Sequence, residues 1–133
     1  MRSAEIEVAT GHVPAVVDLG AHIHAFLRPG DAGLLNVFAP HATCGLAVIE
    51  TGAGSDSDLL ASIDHLLAAD DRWQHRHGSQ GHGRDHVLPA WIAPSMILPV
   101  VGGRVALGTW QSVVLVDTNV DNPTRRVRLS LLG

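Results

Sequence analysis

Apolar and polar positions change their period several times along this chain, and each change marks an element. Residues 5–9 and 13–17 read as two short strands joined around Gly11. Asp18 then offers an N-cap for a helix carrying Leu19, Ile23, Phe26 and Leu27 on one face, which Gly30 and Gly33 end. Residues 34–38 and 44–50 are apolar and too short for helices, so they predict strands separated by a turn at Pro40 and His41. Ser55 or Asp56 is placed to cap a second helix with Leu59, Leu60, Ile63 and Leu67 at helical spacing. Residues 70–85 are polar, rich in Gly and His, and without period, which predicts one long loop. Residues 86–92 fit a short helix or an irregular crossing equally well, because Pro89 and Pro94 punctuate them. From residue 96 the pattern is β again: 96–101, a Gly102-Gly103 hairpin turn, 105–107, 112–117 and 127–132. With no internal repeat or linker, this order implies a single α+β domain over residues 1–133, with a mostly antiparallel sheet and two main helices.

Composition narrows the function classes. A chain of 133 residues is large enough to bury a core without disulfides, and its single cysteine, Cys44, lies in an apolar stretch where a thiol acts as a small hydrophobe. Cys44 has no neighbour in sequence that would lower its pKa, so a nucleophilic role is disfavoured. An intracellular, reducing setting follows, and with no secretory signal or membrane-length apolar run the expectation is a soluble, cytoplasmic protein. A formal charge of −4, with basic residues clustered only at Arg125, Arg126 and Arg128, argues against nucleic acid as a partner. All nine basic residues are arginine, which excludes a lysine Schiff base.

The candidate chemistry rests on histidine. Residues 40–50, Pro-His-Ala-Thr-Cys-Gly-Leu-Ala-Val-Ile-Glu, place His41 and Glu50 at the two ends of one apolar run. A carboxylate there is either exposed to water or paired, and Glu50 could act as a base or orient an imidazole. His75, His77, His82 and His86 put more imidazoles near one another than stability requires. His41, His75 and His86 could supply three neutral nitrogens to a zinc-like divalent ion that keeps an open position, against the plainer reading of polar loop histidines. His12, His22, His24 and His65 read as ordinary surface residues. Gly108-Thr109-Trp110-Gln111 joins a close-approach glycine, a hydroxyl, a flat ring and an amide, which suits a small planar or phosphorylated ligand, or else a turn with Trp110 as a core anchor. Gly81 and Gly83 lack the strand and lysine of a phosphate loop.

Residues 40–50, the loop around His75, His86 followed by Ala93-Pro94-Ser95, and above all Leu-Gly-Thr-Trp-Gln at 107–111 resemble the signatures of the YjbQ-like family of secondary thiamine-phosphate synthases. The resemblance runs almost end to end. It implies a YjbQ-like α+β subunit with a mixed sheet, assembled as a homotrimer whose histidines gather near subunit boundaries. It also implies a weak transferase activity joining hydroxymethylpyrimidine diphosphate to thiazole phosphate with release of pyrophosphate. By this resemblance His41 and Thr43 take the family's His-x-Thr, Glu50 its strand-end acid, Asp58 its following acid, His75 its loop histidine, and Arg125 its C-terminal arginine. Where the family shows Asp-Asn before the second histidine, this chain has Gly81 and His82 ahead of His86.

Three readings compete for these residues. As a transferase, a metal or Arg125 neutralises departing pyrophosphate, Thr43, Thr109, Trp110 and Gln111 hold substrate, and His41, Glu50 or His86 handles protons. As a binding protein, the trimer captures a small phosphorylated or anionic metabolite. As a metal-dependent hydrolase, the open coordination position holds an acidified water.

Overall fold

The computed structural model describes residues 1–133 and builds two antiparallel sheets and four helices. The elements are β1 (Arg2–Ala9), β2 (Ala15–Asp18), α1 (Gly20–Phe26), β3 (Gly33–Phe38), β4 (Cys44–Ile49), α2 (Ser55–Leu66), α3 (His82–Asp85), α4 (Leu88–Trp91), β5 (Ser95–Val101), β6 (Arg104–Val105), β7 (Ser112–Asp117) and β8 (Thr124–Leu132). One sheet has the order β1-β8-β3-β5-β6, the other β2-β7-β4. All the pairings are antiparallel, so the mixed sheet implied by the resemblance is not what forms, whereas the expected α+β class with two main helices, α1 and α2, is.

Strand β7 explains the layering. Its run Val113-Val114-Leu115-Val116 is apolar without alternation, the signature of a strand buried on both faces. Val113 and Leu115 join the main core with Val8, Leu35, Val127 and Leu129 from the larger sheet. Val114 and Val116 point the other way, against Ile63 and Leu67 of α2 and Leu88 of α4. The order of layers is therefore large sheet, small sheet, then α2 and α4, while α1 packs Ile23 into the main core. Each fully buried Leu or Val contributes about 1.5–3 kcal/mol by leaving water, and Leu115 and Leu129 have no exposed surface.

Local chemistry sets the helix starts. At α1 the cap is Leu19 rather than Asp18, whose carboxylate accepts the Gly20 N–H at 2.7 Å from one position earlier, where β2 ends. At α2 the cap is Gly54 in the left-handed region rather than Ser55 or Asp56, and Asp56 and Asp58 instead occupy the first turn, where acids favour the helix dipole. The long loop expected over 70–85 closes early, because 82–85 turn into α3. No helix is long and apolar enough to cross a membrane. The outer face of the large sheet stays uncovered within the chain, leaving Leu34, Phe38, Ile97, Val101 and Leu132 exposed.

Candidate metal centre

The segment between α2 and α4 gathers four imidazoles. The Trp73 indole N–H donates to the Ala68 carbonyl at 2.8 Å, tying the segment to the end of α2. The chain then passes over α3 at Gly83, where an added Cβ would lie 2.5 Å from both the His75 carbonyl oxygen and the Trp73 Cβ. Only glycine permits that approach, and it brings His75 over the helix that carries His82. His82 and His86 stand four residues apart, one helical turn, and share a face. Their Nε2 atoms are 3.0 Å apart. The rings of His75 and His86 are centred 4.0 Å apart, as are those of His75 and His77. One ligand atom from each of the four falls within 4.8 Å of all the others.

The electrostatics favour lone pairs over protons. Removal from water, reinforced by neighbouring imidazoles, holds His75 and His86 below the ordinary histidine value. Neutral imidazoles are metal ligands, whereas imidazolium ions packed this closely repel. His82 is buried, and its Nδ1 faces Asp121 at 3.2 Å and Asp85 at 3.5 Å. Nδ1 hydrogen-bonds to neither, but both carboxylates sit on that side of the ring while Nε2 faces His86, the placement from which an outer carboxylate orients a ligating histidine. Both carboxylates are themselves fixed: Thr118 Oγ1 donates to Asp85 at 2.6 Å, and the backbone and hydroxyl of Ser79 donate to Asp121.

Among the residues predicted from sequence, His75 and His86 meet here, joined by His77 and His82. His41 does not join them within the chain. It lies between β3 and β4, where its Nε2 accepts the Arg126 N–H of β8 at 3.0 Å, on the large-sheet side of the fold. Burial and the Arg125 charge depress its pKa, in keeping with that acceptor role. Thr43 and Arg125 are turned inward rather than towards a ligand. Arg125 grips Asp117 through Nε at 2.6 Å and Nη2 at 3.1 Å, and its Nη2 also donates to Thr43 Oγ1 at 2.7 Å. All three are buried. Glu50 is exposed at the end of β4, and Asp58 is exposed on α2. Thr109, Trp110 and Gln111 form an exposed turn, closed by the Gln111 side-chain oxygen accepting the Gly108 N–H at 2.8 Å. Trp110 is 73% exposed, so it anchors no core. Burial pushes the Cys44 thiol up to about 12, which rules out a thiolate nucleophile near neutral pH.

Two antiparallel sheets flanked by short helices, with a histidine-lined loop and a Gly-Thr-Trp-Gln turn, define an α+β subunit of YjbQ type. The chain belongs to that family: the profile described as UPF0047 protein YjbQ-like matches residues 4–133. A UPF0047 protein of Mycobacterium tuberculosis is 60% identical over 117 residues, spanning 88% of this chain and 88% of the relative. A hypothetical protein of Aeropyrum pernix has a crystal structure similar over 100% of this chain and 99% of its own, with a TM-score of 0.88 and 32% identity. A conserved hypothetical protein of Thermus thermophilus covers 97% of this chain and 99% of its own, at a TM-score of 0.84 and 32% identity. None of these descriptions states a reaction, so the functional argument returns to the side chains.

Proposed function

We propose that His75, His77, His82 and His86 hold a divalent, zinc-like ion, and that the chain uses this site on a small phosphorylated metabolite. The carrying observation is the convergence of four imidazole ligand atoms within 4.8 Å, with no hydrogen-bond partner for the rings of His75 and His77 and only His82 for that of His86. The donor set suits the ion: four imidazole nitrogens, with His75 and His86 held below the ordinary histidine value and His82 backed by two carboxylates. A bound ion there supplies positive charge to a phosphate oxygen.

The reaction most consistent with the family resemblance is thiamine-phosphate synthesis. In it the bond between the pyrimidine methylene carbon and the diphosphate oxygen breaks, pyrophosphate leaves with the electron pair, and the thiazole ring nitrogen forms the new bond to that carbon. In this reading the exposed Trp110 ring is available to stack on a heterocycle, and Thr109 lies beside it. His86 is the ligand whose loss is most telling, since it reaches both His75 and His82. A second reading has its own support, because four protein nitrogens fill a tetrahedral zinc site and leave no position for substrate. Under it the protein captures a metal or an anionic metabolite without turnover. We further propose a homotrimer, in which the apolar outer face of the large sheet meets other copies.

Three measurements test these readings. Elemental analysis of the purified protein is expected to find close to one equivalent of divalent metal per chain, and none in His86→Ala. Pyrophosphate release from the two heterocyclic substrates is expected to be slow in the parent and absent in that variant. Metal retained with no release in either protein selects the capture reading. A stable monomer by light scattering removes the trimer.

A further inference from the structure

We infer that a groove between α1 and the β5–β6 hairpin is a binding site for a phosphomonoester with a compact apolar body. The inference takes from the preceding reading only that the chain binds a phosphorylated ligand, and it adds a phosphate site outside the imidazole cluster, none of whose four residues lines the groove. It begins with the arginines. Seven of the nine make a side-chain hydrogen bond or ion pair: Arg2, Arg72, Arg76, Arg84, Arg125, Arg126 and Arg128. The two that make neither, Arg28 and Arg104, line the same cavity of about 270 Å³. His24 lies between them on its wall.

That cavity adjoins a second of about 390 Å³, and His24, Leu27, Gly103 and Arg104 line both. The second has a different character. Its floor is apolar, built from Ile23, Leu27, Val105, Leu107 and Val113, and its rim carries Gln111 and Asp18. A cationic end joined to an apolar chamber of this size matches a small molecule with an anionic tail, and the chamber falls within the usual range for ligand sites, roughly 300–1,000 Å³. Two guanidiniums present fork-shaped donors that suit phosphate oxygens.

The walls are held at fixed separation. Gly103 adopts φ 79, and an added Cβ would lie 2.5 Å from the Arg28 carbonyl oxygen, so the hairpin turn presses directly on the segment after α1. The Gly103 N–H donates to the Asp31 carbonyl at 2.8 Å. The nearest acid on that segment is already matched, because Arg2 pairs with the Asp31 carboxylate at 2.5 Å and the Arg28 backbone N–H donates to it at 2.8 Å. Asp18 faces the other chamber, with one oxygen accepting from Gly20. It can receive an amino or hydroxyl group from the apolar body, which places the anionic tail at the arginine end.

The test is calorimetric titration of the full-length protein with phenyl phosphate and with inorganic phosphate. Saturable binding is expected for phenyl phosphate, tighter than for inorganic phosphate and weakened by added salt. Arg104→Gln and Arg28→Gln are expected to weaken it roughly tenfold or more each, the usual scale for a lost charge-assisted hydrogen bond, while unfolding temperature stays near the parent value. His86→Ala is expected to bind phenyl phosphate as the parent does. Binding unchanged in both arginine variants, or no saturable binding in the parent, overturns the groove. Binding lost in His86→Ala and kept in the arginine variants places the phosphate at the imidazoles, overturning the groove while sparing the metal reading.

Discussion

The four-imidazole cluster and the Arg125–Asp117–Thr43 network are both groups of polar side chains drawn together by the fold, yet they differ in one decisive respect. In the network each charged group has its partner: the Arg125 fork lies on the Asp117 carboxylate, and Thr43 takes a further guanidinium hydrogen. In the cluster the side chains face one another with like chemistry, and the one hydrogen bond among the four rings joins His82 to His86. Buried polar groups that satisfy each other are structure. Groups that converge without satisfying each other call for something from outside. The family resemblance alone would assign Arg125 and the imidazoles to one site, and the difference in partnering separates them.

The largest expected effect tests the structural half of the contrast. Asp117→Ala leaves the Arg125 charge buried without a partner and should cost about 3–5 kcal/mol in urea unfolding. Thr43→Val, which removes one hydrogen bond from the same guanidinium, should cost only about 1 kcal/mol. If the two variants unfold alike, the network is not held by its ion pair.

Next in size is the response to metal. Zinc at one hundred times its Kd should raise the unfolding free energy by about 2.7 kcal/mol when it binds only the folded chain. The gain should vanish in His86→Ala. Gly83→Ala should reduce it while keeping all four histidines, because the added methyl pushes the His75 backbone away from α3. A full zinc response in Gly83→Ala would show that the glycine does not set the cluster.

A smaller effect concerns His41, which resembles neither group because its Nε2 meets only the Arg126 backbone, the N–H at 3.0 Å and the carbonyl oxygen at 3.1 Å. Its folded pKa lies below the ordinary value of 6.5, so the unfolded chain takes up the proton first. Stability from this residue is complete above that value and declines as pH falls below it, towards the folded pKa. His41→Gln should flatten this part of the stability profile, measured by urea midpoints across acidic buffers. An unchanged slope would show that another group carries it.

The smallest effect is expected at the surface. Glu5 lies 3.6 Å from Arg126 and 3.4 Å from Arg128 across the β1–β8 pair, with all three side chains open to water. Glu5→Gln should change stability by less than about 1 kcal/mol, and the change should shrink with added salt.

Much of the architecture was legible in the sequence because burial writes its own pattern. The unbroken apolar run of β7, the helical spacing of α2 and the Gly102-Gly103 hairpin are local signals, and each element forms where its signal lies. The division into two sheets was not legible, since it depends on which strands pair, and β8 must find β1 and β3 from far along the chain. The same limit applies to His41. Its place at a strand end could be read, but its partner is Arg126, 85 residues away. All four imidazoles were visible as a group, but the helical pairing inside it was hidden for another reason. The i, i+4 spacing of His82 and His86 is a helical signal only one turn long, too short to stand out from a polar, glycine-rich stretch. Gly83 in turn looks like a weak phosphate loop until the chain passing above it is seen. Trp110 was open between core and ligand, and its exposure excludes the core.

All four imidazoles of the cluster come from the single segment 75–86. The donor set is therefore contiguous in the chain, unlike one assembled from distant strands. Bringing such donors together closes only a short loop, whose entropy cost grows slowly with length and is small here. An unfolded chain keeps the same donors within reach of one another, and it too can take up an ion. Metal held by the unfolded state offsets part of the stabilisation that the folded state gains. The centre is thus suited to capturing metal on a nascent or partly folded chain, and to keeping it as the sheets close, rather than to serving as the main support of the fold.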